Sequence, residues 1–132
     1  YKYGGLSTPE QYLIKAECQV RAGKVNEGMA TLNTLRKSRM LKDKYKDMTA
    51  TDAADAIDKI LRAKHNEMRL TIIAVADYKR INAEKTYAKP LTKVEGGKTY
   101  TLSPDSHFWV QPFPVNDLSS LGNGSFIQNT PK

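Results

Sequence analysis

The chain has 132 residues, which suits one modest domain or a piece of a larger one. Its 21 Lys and Arg residues outnumber its 14 Asp and Glu residues, so the net charge is +7 and the pI is near 9.5. No apolar run reaches the length of a membrane span, and one cysteine, Cys18, excludes an internal disulfide and a cysteine-based metal site.

Residues 8–40 predict an antiparallel pair of helices. Ser7 can cap the first helix, and Pro9 suits its first turn. Gly23 suits the left-handed conformation that ends a helix, and Asn26 is expected to cap the second one. Three residues between the helices imply a tight hairpin. The expected buried residues recur at helical spacing: Leu13, Ala16, Val20, Met29, Leu32 and Leu35, with Tyr12 alongside and Cys18 as a core-packing residue.

Residues 41–48 predict a polar loop, and residues 50–82 predict one long helix or a broken helix pair. We expect Thr49 or Thr51 to cap this segment. Three carboxylates near its start favour the helix dipole and need no catalytic role: Asp52, Asp55 and Asp58. The expected buried residues are Ile57, Ile60, Leu61, Met68, Ile72 and Val75.

Residues 83–132 predict an irregular tail. Its frequent prolines and glycines forbid long regular elements, so it should hold at most two short strands, at 98–102 and 107–110. The rest of this segment is expected to wrap a helical body as an extended chain.

The sequence contains no nucleophile motif, phosphate-binding loop or metal-ligand pattern. His65 and His107 fall in different predicted elements, and we interpret both as surface or structural residues, because metal ligands normally cluster. We therefore predict that the chain is not an enzyme, and we assign it no catalytic residue, cofactor or metal.

His107-Phe108-Trp109 is the one segment that suggests a ligand contact. A tryptophan ring can stack on the apolar face of a sugar, and a neighbouring histidine can bind a hydroxyl group. Trp109 and His107 are therefore the candidate ligand-binding residues. We favour a structural role, in which Phe108 and Trp109 bury apolar area and fix the tail to the helices.

Six basic residues between positions 36 and 46 suggest nucleic-acid binding as another possible function. They lie where the second helix is predicted to end, and cations are favourable at a helix C-terminus. Asp43 and Asp47 interrupt the run, and Tyr45 is the one aromatic residue there, whereas single-strand binders interleave several. We therefore predict no nucleic-acid partner.

Three segments, in order along the chain, carry motifs of one protein family. Residues 5–37 match a helix-pair pattern, YLI-AE…R-G…A…LN-LR, with small residues Ala16 and Gly28 where two helices of a tetratricopeptide unit approach. Residues 67–82 match at Glu67, Asp77, Lys79, Arg80 and Asn82. The chain departs from the usual pattern at Ala63, just before this segment, and within it at Ile72, Ala74 and Val75. The third segment comprises Leu102 to Ser106, Pro112-Phe113-Pro114, Asp117-Leu118 and Gln128-Asn129.

This ordered set resembles the SusD/RagB family of Bacteroidetes. The resemblance implies a mainly α fold in which residues 1–132 form the C-terminal part of a SusD-like domain. It would comprise a tetratricopeptide-like hairpin at 8–40, a long helix or helix pair at 50–82 and an irregular tail at 83–132.

The resemblance also implies a function. Family members are lipid-anchored at the outer surface of the outer membrane, where they capture glycans or other nutrients and pass them to a TonB-dependent transporter. Because most ligand contacts and the lipid anchor would lie upstream of Tyr1, this chain is expected to supply scaffold. The alternative is a tetratricopeptide-like protein-interaction module without carbohydrate binding.

Overall fold

The structure is a computed structural model that describes residues 7–69 and 71–110, and its fold is mainly α, as predicted. The chain divides into two compact units, Tyr1–Ala76 and Asp77–Lys132. The regular elements in chain order are α1 (Thr8–Arg21), α2 (Val25–Arg39), α3 (Ala53–Glu67), α4 (Ile72–Asn82), β1 (Leu91–Glu95), β2 (Lys98–Leu102) and a 3₁₀ turn (His107–Trp109).

The predicted helical hairpin has well-defined caps. Ser7 Oγ accepts a hydrogen bond from the backbone N–H of Glu10 at 3.4 Å, with Pro9 in the first turn. Gly23, at φ 80°, closes α1 in a Schellman motif. The prediction that Asn26 caps α2 is wrong: the cap is Lys24, because the chain enters α2 directly from this turn.

α1 packs closely on α2 at Gly28, one of the two small positions of the predicted hairpin. A Cβ atom on Gly28 would lie 2.4 Å from Cγ2 of Val20 and 2.8 Å from the carbonyl oxygen of Ala16. The two helices therefore meet at a distance that only glycine permits at position 28.

The core of the first unit lies where α1, α2 and α3 pack against one another. Its largest fully buried side chains are Leu13, Leu32, Ile57 and Ile60. Burial of each stabilises the fold by about 1.5–3 kcal/mol before entropy losses.

Cys18 is exposed, so the prediction that it packs in the core is wrong. The buried face of α1 carries Ala16, Glu17 and Val20. Cys18 lies about 100° further around the helix than Glu17 and so turns towards solvent. Tyr12 is exposed for a similar reason, since it lies outside the stripe that meets α2 and α3.

Two alternatives were predicted for residues 50–82, one long helix or a broken helix pair. The structure has the helix pair. α3 is capped by Asp52, whose Oδ1 accepts from the N–H of Asp55 at 2.8 Å, so neither Thr49 nor Thr51 is the cap. Ile72 and Val75 were expected to be buried, but they are 80% and 46% exposed. α4 begins a new helix after the break, so the apolar periodicity of α3 does not continue in phase through it.

The second unit contains an antiparallel hairpin of β1 and β2, in which Glu95 pairs with Lys98. Gly96 and Gly97 have φ angles of 57° and 75°, as a two-residue type I′ turn requires. β2 matches the strand predicted at 98–102, whereas β1 was not predicted.

The prediction of a strand at residues 107–110 is wrong. Ser106 Oγ accepts from the N–H of Phe108 at 3.2 Å and starts a 3₁₀ turn. The tail from residue 111 onward, with its predicted extended course, lies outside the described residues. Among the helices at 7–69 and 71–110, none has the length and apolar character that a membrane span requires.

Candidate functional site

The loop after α2 is held to that helix by one asparagine. Asn33 Nδ2 donates to the carbonyl oxygen of Met48 at 2.9 Å, and the N–H of Met48 donates back to Asn33 Oδ1 at 3.0 Å. This pair of bonds satisfies both backbone groups of Met48, much as a neighbouring strand would. A side chain of α2 therefore fixes the position of Met48 in the loop.

Arg36 adds a second set of contacts to the same loop. Its Nη1 donates to Asn33 Oδ1 at 3.0 Å and to the carbonyl oxygen of Lys46 at 2.9 Å. The guanidinium carbon also lies 5.8 Å from the centre of the Tyr45 ring, within cation–π range. We call Asn33, Arg36 and Tyr45 the loop clamp.

The hydroxyl group of Tyr45 completes the clamp. It donates to Asp47 Oδ1 at 2.5 Å and lies 3.3 Å from the carbonyl oxygen of Asn33. The bond to Asp47 is the main reason that the pKa of this phenol is above its ordinary value of 10.0. Tyr45 thus acts as a hydrogen-bond donor to Asp47.

A cleft of about 480 Å³ with a mixed polar and apolar lining opens beside the clamp. Amides, hydroxyl groups, one lysine and one carboxylate supply its polar groups. Such a lining can hold a small polar molecule by hydrogen bonds. Its residues are Asn26, Met29, Ala30, Asn33, Thr34, Lys37, Tyr45, Asp47, Met48, Thr49 and Ala50.

Ion pairs involve several other residues of the family-like motifs. Arg21 Nη2 lies 2.8 Å from Glu17 Oε1, and the Glu17 side chain is buried. Arg39 forms a two-pronged contact with Glu67, with donor–acceptor distances of 2.9 and 3.4 Å. These hydrogen bonds raise the pKa of the Arg39 guanidinium above its ordinary value. The second contact joins the end of α2 to the end of α3.

The part of α4 that belongs to the second unit carries a further ion pair within the motif at residues 67–82. Arg80 Nη2 donates to Asp77 Oδ1 at 2.8 Å, and Asp77 is buried. The bond joins residues three apart along one helix face, where side chains are neighbours. Arg80 thus partly neutralises a buried carboxylate.

Trp109, a sequence-predicted candidate, stacks on Tyr78 in the second unit. The ring centres are 5.7 Å apart with an interplanar angle of 27°, and Trp109 Nε1 donates to the carbonyl oxygen of Ser103 at 2.8 Å. Trp109 is half-buried, whereas Phe108 is 46% exposed and His107 is exposed. These contacts favour a packing role for the tryptophan.

The two histidines occupy different compact units, His65 on α3 and His107 in the 3₁₀ turn. Within residues 7–69 and 71–110, no group of three or more His, Cys, Asp or Glu side chains is arranged to hold a metal ion.

Sequence reasoning missed the clamp. Asn33 and Arg36 were identified as motif residues, but their partners are backbone atoms of residues 46 and 48, which a sequence pattern does not point to. Their spacing of three on one helix face is the signal that could have suggested a shared polar partner.

Comparison with known proteins identifies no relative of the chain. The chain matches no protein-family model, no curated protein and no solved structure.

Proposed function

We propose that this chain is the scaffold part of a SusD-like, surface-exposed subunit that captures a glycan or another nutrient and delivers it to a TonB-dependent transporter. It is a binding-protein component and performs no chemistry. The ligand is bound mainly by the region upstream of Tyr1, which would also carry the lipid anchor to the outer membrane.

The observation that carries this proposal is the role of the residues on which the family resemblance rests. Gly28 allows the close approach of α1 and α2, and Gly23 forms the turn between them. Asn33 and Arg36 hold the following loop, and Glu67 joins α3 to α2 through Arg39. Each of these residues stabilises a framework, as expected of scaffold.

The second candidate function is a tetratricopeptide-like protein-interaction module. It is favoured by an apolar groove with a basic rim between α2 and α3. The two functions are compatible in one protein, but they predict different ligands for the intact parent.

A glycan array probed with the full-length parent protein separates them. The capture subunit should bind at least one oligosaccharide and should leave it unhydrolysed. A parent that binds no glycan but forms a complex with another protein would support the interaction module instead. Turnover of glycosidase substrates would contradict both functions.

The transporter is tested separately, by isolating the tagged full-length protein from outer membranes. We expect a TonB-dependent transporter in roughly equal amount, and we expect the upstream sequence to encode a lipoprotein signal with an anchoring cysteine. A parent found without either would contradict the proposal.

A further inference from the structure

An apolar depression of about 310 Å³, which we call the α2–α3 groove, lies within the first compact unit. Leu32 and Leu35 of α2 are buried at its base, and Ala63 of α3 and Met48 of the loop also line it. Met40 lies at its edge and is partly exposed. Unbranched Met side chains adapt to apolar groups of different shape. The groove has room for one or two aliphatic side chains.

The rim of this groove carries one more cation than carboxylate. Four cationic side chains line it, Arg36, Arg39, Lys59 and Arg62, and three of them form ion pairs, Arg39 with Glu67, Lys59 with Asp55 and Arg62 with Asp58. The run of basic residues at positions 36–46 continues from the end of α2, so the surrounding surface adds positive potential. A net positive charge around an apolar depression attracts ligands of opposite charge.

Two of the rim arginines can bind a ligand carboxylate by donating hydrogen bonds to it. Arg62 is 76% exposed, and its 3.2 Å contact with Asp58 is a surface ion pair of the kind that contributes little to stability. Arg39 contacts Glu67 through Nε and Nη2. Because a guanidinium has five N–H donors, each arginine can bind a second carboxylate while keeping its first partner.

The lining favours a peptide over a nucleic acid. The side chains that line the groove are aliphatic, thioether, amide or charged. None of these lining residues has an aromatic ring on which a base could stack. An aliphatic base to the groove instead suits the anchor side chain of an amphipathic peptide.

We propose that the α2–α3 groove is a docking site for an acidic peptide segment of a partner protein. A leucine-like side chain of the segment enters the groove, and flanking carboxylates pair with Arg62 and Arg39. This inference goes beyond the capture function and depends only on the first unit.

The test is fluorescence anisotropy with the full 132-residue chain and a labelled synthetic peptide that carries two leucines flanked by glutamates. Arg62→Glu should weaken binding about tenfold or more, because it places a like charge beside the peptide carboxylates. Ala63→Leu should also weaken it by filling the groove. Lys15→Glu, with the same charge change at an exposed site on α1, is the matched control and should have little effect.

Circular dichroism of each variant verifies its fold, and Arg62→Ala, a truncation at the same exposed site, should show a smaller loss of affinity than Arg62→Glu. Binding should disappear when the peptide glutamates are replaced by lysines, and should weaken when its leucines are replaced by serines. Equal binding of the serine peptide, equal loss in Lys15→Glu and Arg62→Glu, or stronger binding of single-stranded DNA would each overturn the proposal.

Discussion

Asn33 is the residue that links α2 to a backbone segment 15 residues further along the chain. A carboxamide has both a donor and an acceptor, so it can satisfy the C=O and the N–H of Met48 at once. No other small side chain offers both groups in one plane. Asn33 therefore contributes the two bonds of the loop clamp that reach Met48, and the shape of the neighbouring cleft depends in part on them.

Asn33→Ala should lower the free energy of unfolding by about 1–2 kcal/mol, because it leaves the backbone groups of Met48 without these partners. It should also loosen the loop, so that trypsin cleaves more readily after Lys42, Lys44 and Lys46, whose side chains are already exposed. Asn26→Ala, the same change at an exposed site on α2, is the control. Chemical denaturation and limited proteolysis measure the two effects. Equal behaviour of the two variants would mean that the clamp does not hold the loop.

Trp109→Ala tests the packing role of the tryptophan. Since the ring is half-buried and stacked on Tyr78, we expect a loss of about 1–3 kcal/mol, below that of a fully buried aromatic. Trp109→Phe keeps a ring for stacking but loses the N–H bond to Ser103, so its loss should be smaller. Calorimetry measures both. A loss of glycan affinity in the parent with an unchanged melting temperature would instead identify Trp109 as a sugar platform.

At the scale of elements, helix packing in the first unit depends on contact at Gly28. Alanine is a better helix former than glycine by about 1 kcal/mol, so an alanine at an ordinary exposed site stabilises a helix. At position 28 the added methyl group would overlap Val20 and the backbone of Ala16. The clash outweighs the propensity gain because α1 and α2 would have to separate.

Gly28→Ala should therefore destabilise the chain by about 1–3 kcal/mol, the usual cost of overpacking. Ala30→Gly, an opposite change at an exposed position of the same helix, should also destabilise it, by about 1 kcal/mol. In urea denaturation, the free energy of unfolding should therefore be higher with alanine than with glycine at position 30, and higher with glycine than with alanine at position 28. A stabilising Gly28→Ala would show that the helices do not approach closely.

The start of α3 gives the chain a predictable acid response. Asp55 Oδ2 accepts from Lys59 Nζ at 2.6 Å and from the N–H of Thr51 at 3.0 Å. The bond from Lys59, followed by that from Thr51, lowers the pKa of Asp55 below its ordinary value of 3.8. Because the folded-state pKa is the lower one, the carboxylate stabilises the fold above pH 3.8 and loses this effect as the pH falls through the folded-state value.

Asp55→Asn should reduce stability at neutral pH, and its difference from the unmodified chain should shrink below pH 3.8. Urea titrations at several pH values give this difference. Asp43→Asn, in the exposed loop, is the control and should change stability little. A deficit for Asp55→Asn that stayed constant down to the lowest pH would contradict the assigned interaction.

Local signals in the sequence predicted the helical elements well. The cap at Ser7 and the glycine at Gly23 act through bonds to near neighbours, so they placed both ends of α1. β1 was missed because all its residues are exposed and no apolar alternation marks it. Gly96-Gly97 was interpreted only as a breaker, whereas its positive φ angles make it the turn of a hairpin.

Features that depend on tertiary contacts were less predictable. The exposure of Cys18 depends on which face of α1 meets α2 and α3. The break between α3 and α4 contains neither proline nor glycine, so the sequence left one helix or two open. The loop clamp and the α2–α3 groove depend on how α2, α3 and the loop are arranged, and neither was predicted.

At the scale of the whole molecule, we propose that this helical framework supports a ligand site in another part of a longer protein. The residues that stabilise this framework, such as Gly28 and Asn33, make their contacts within one compact unit. We propose that the α2–α3 groove on the first unit binds a protein partner and takes no part in glycan binding.

The most direct test of this proposal uses a glycan that binds the full-length parent on the glycan array. This glycan is titrated calorimetrically into the parent and, in parallel, into residues 1–132. Circular dichroism should first show that the shorter chain is folded and mainly helical. We predict binding to the parent and no measurable heat of binding with residues 1–132. Equal affinity of the two proteins would contradict the account, because it would place the ligand site within this chain.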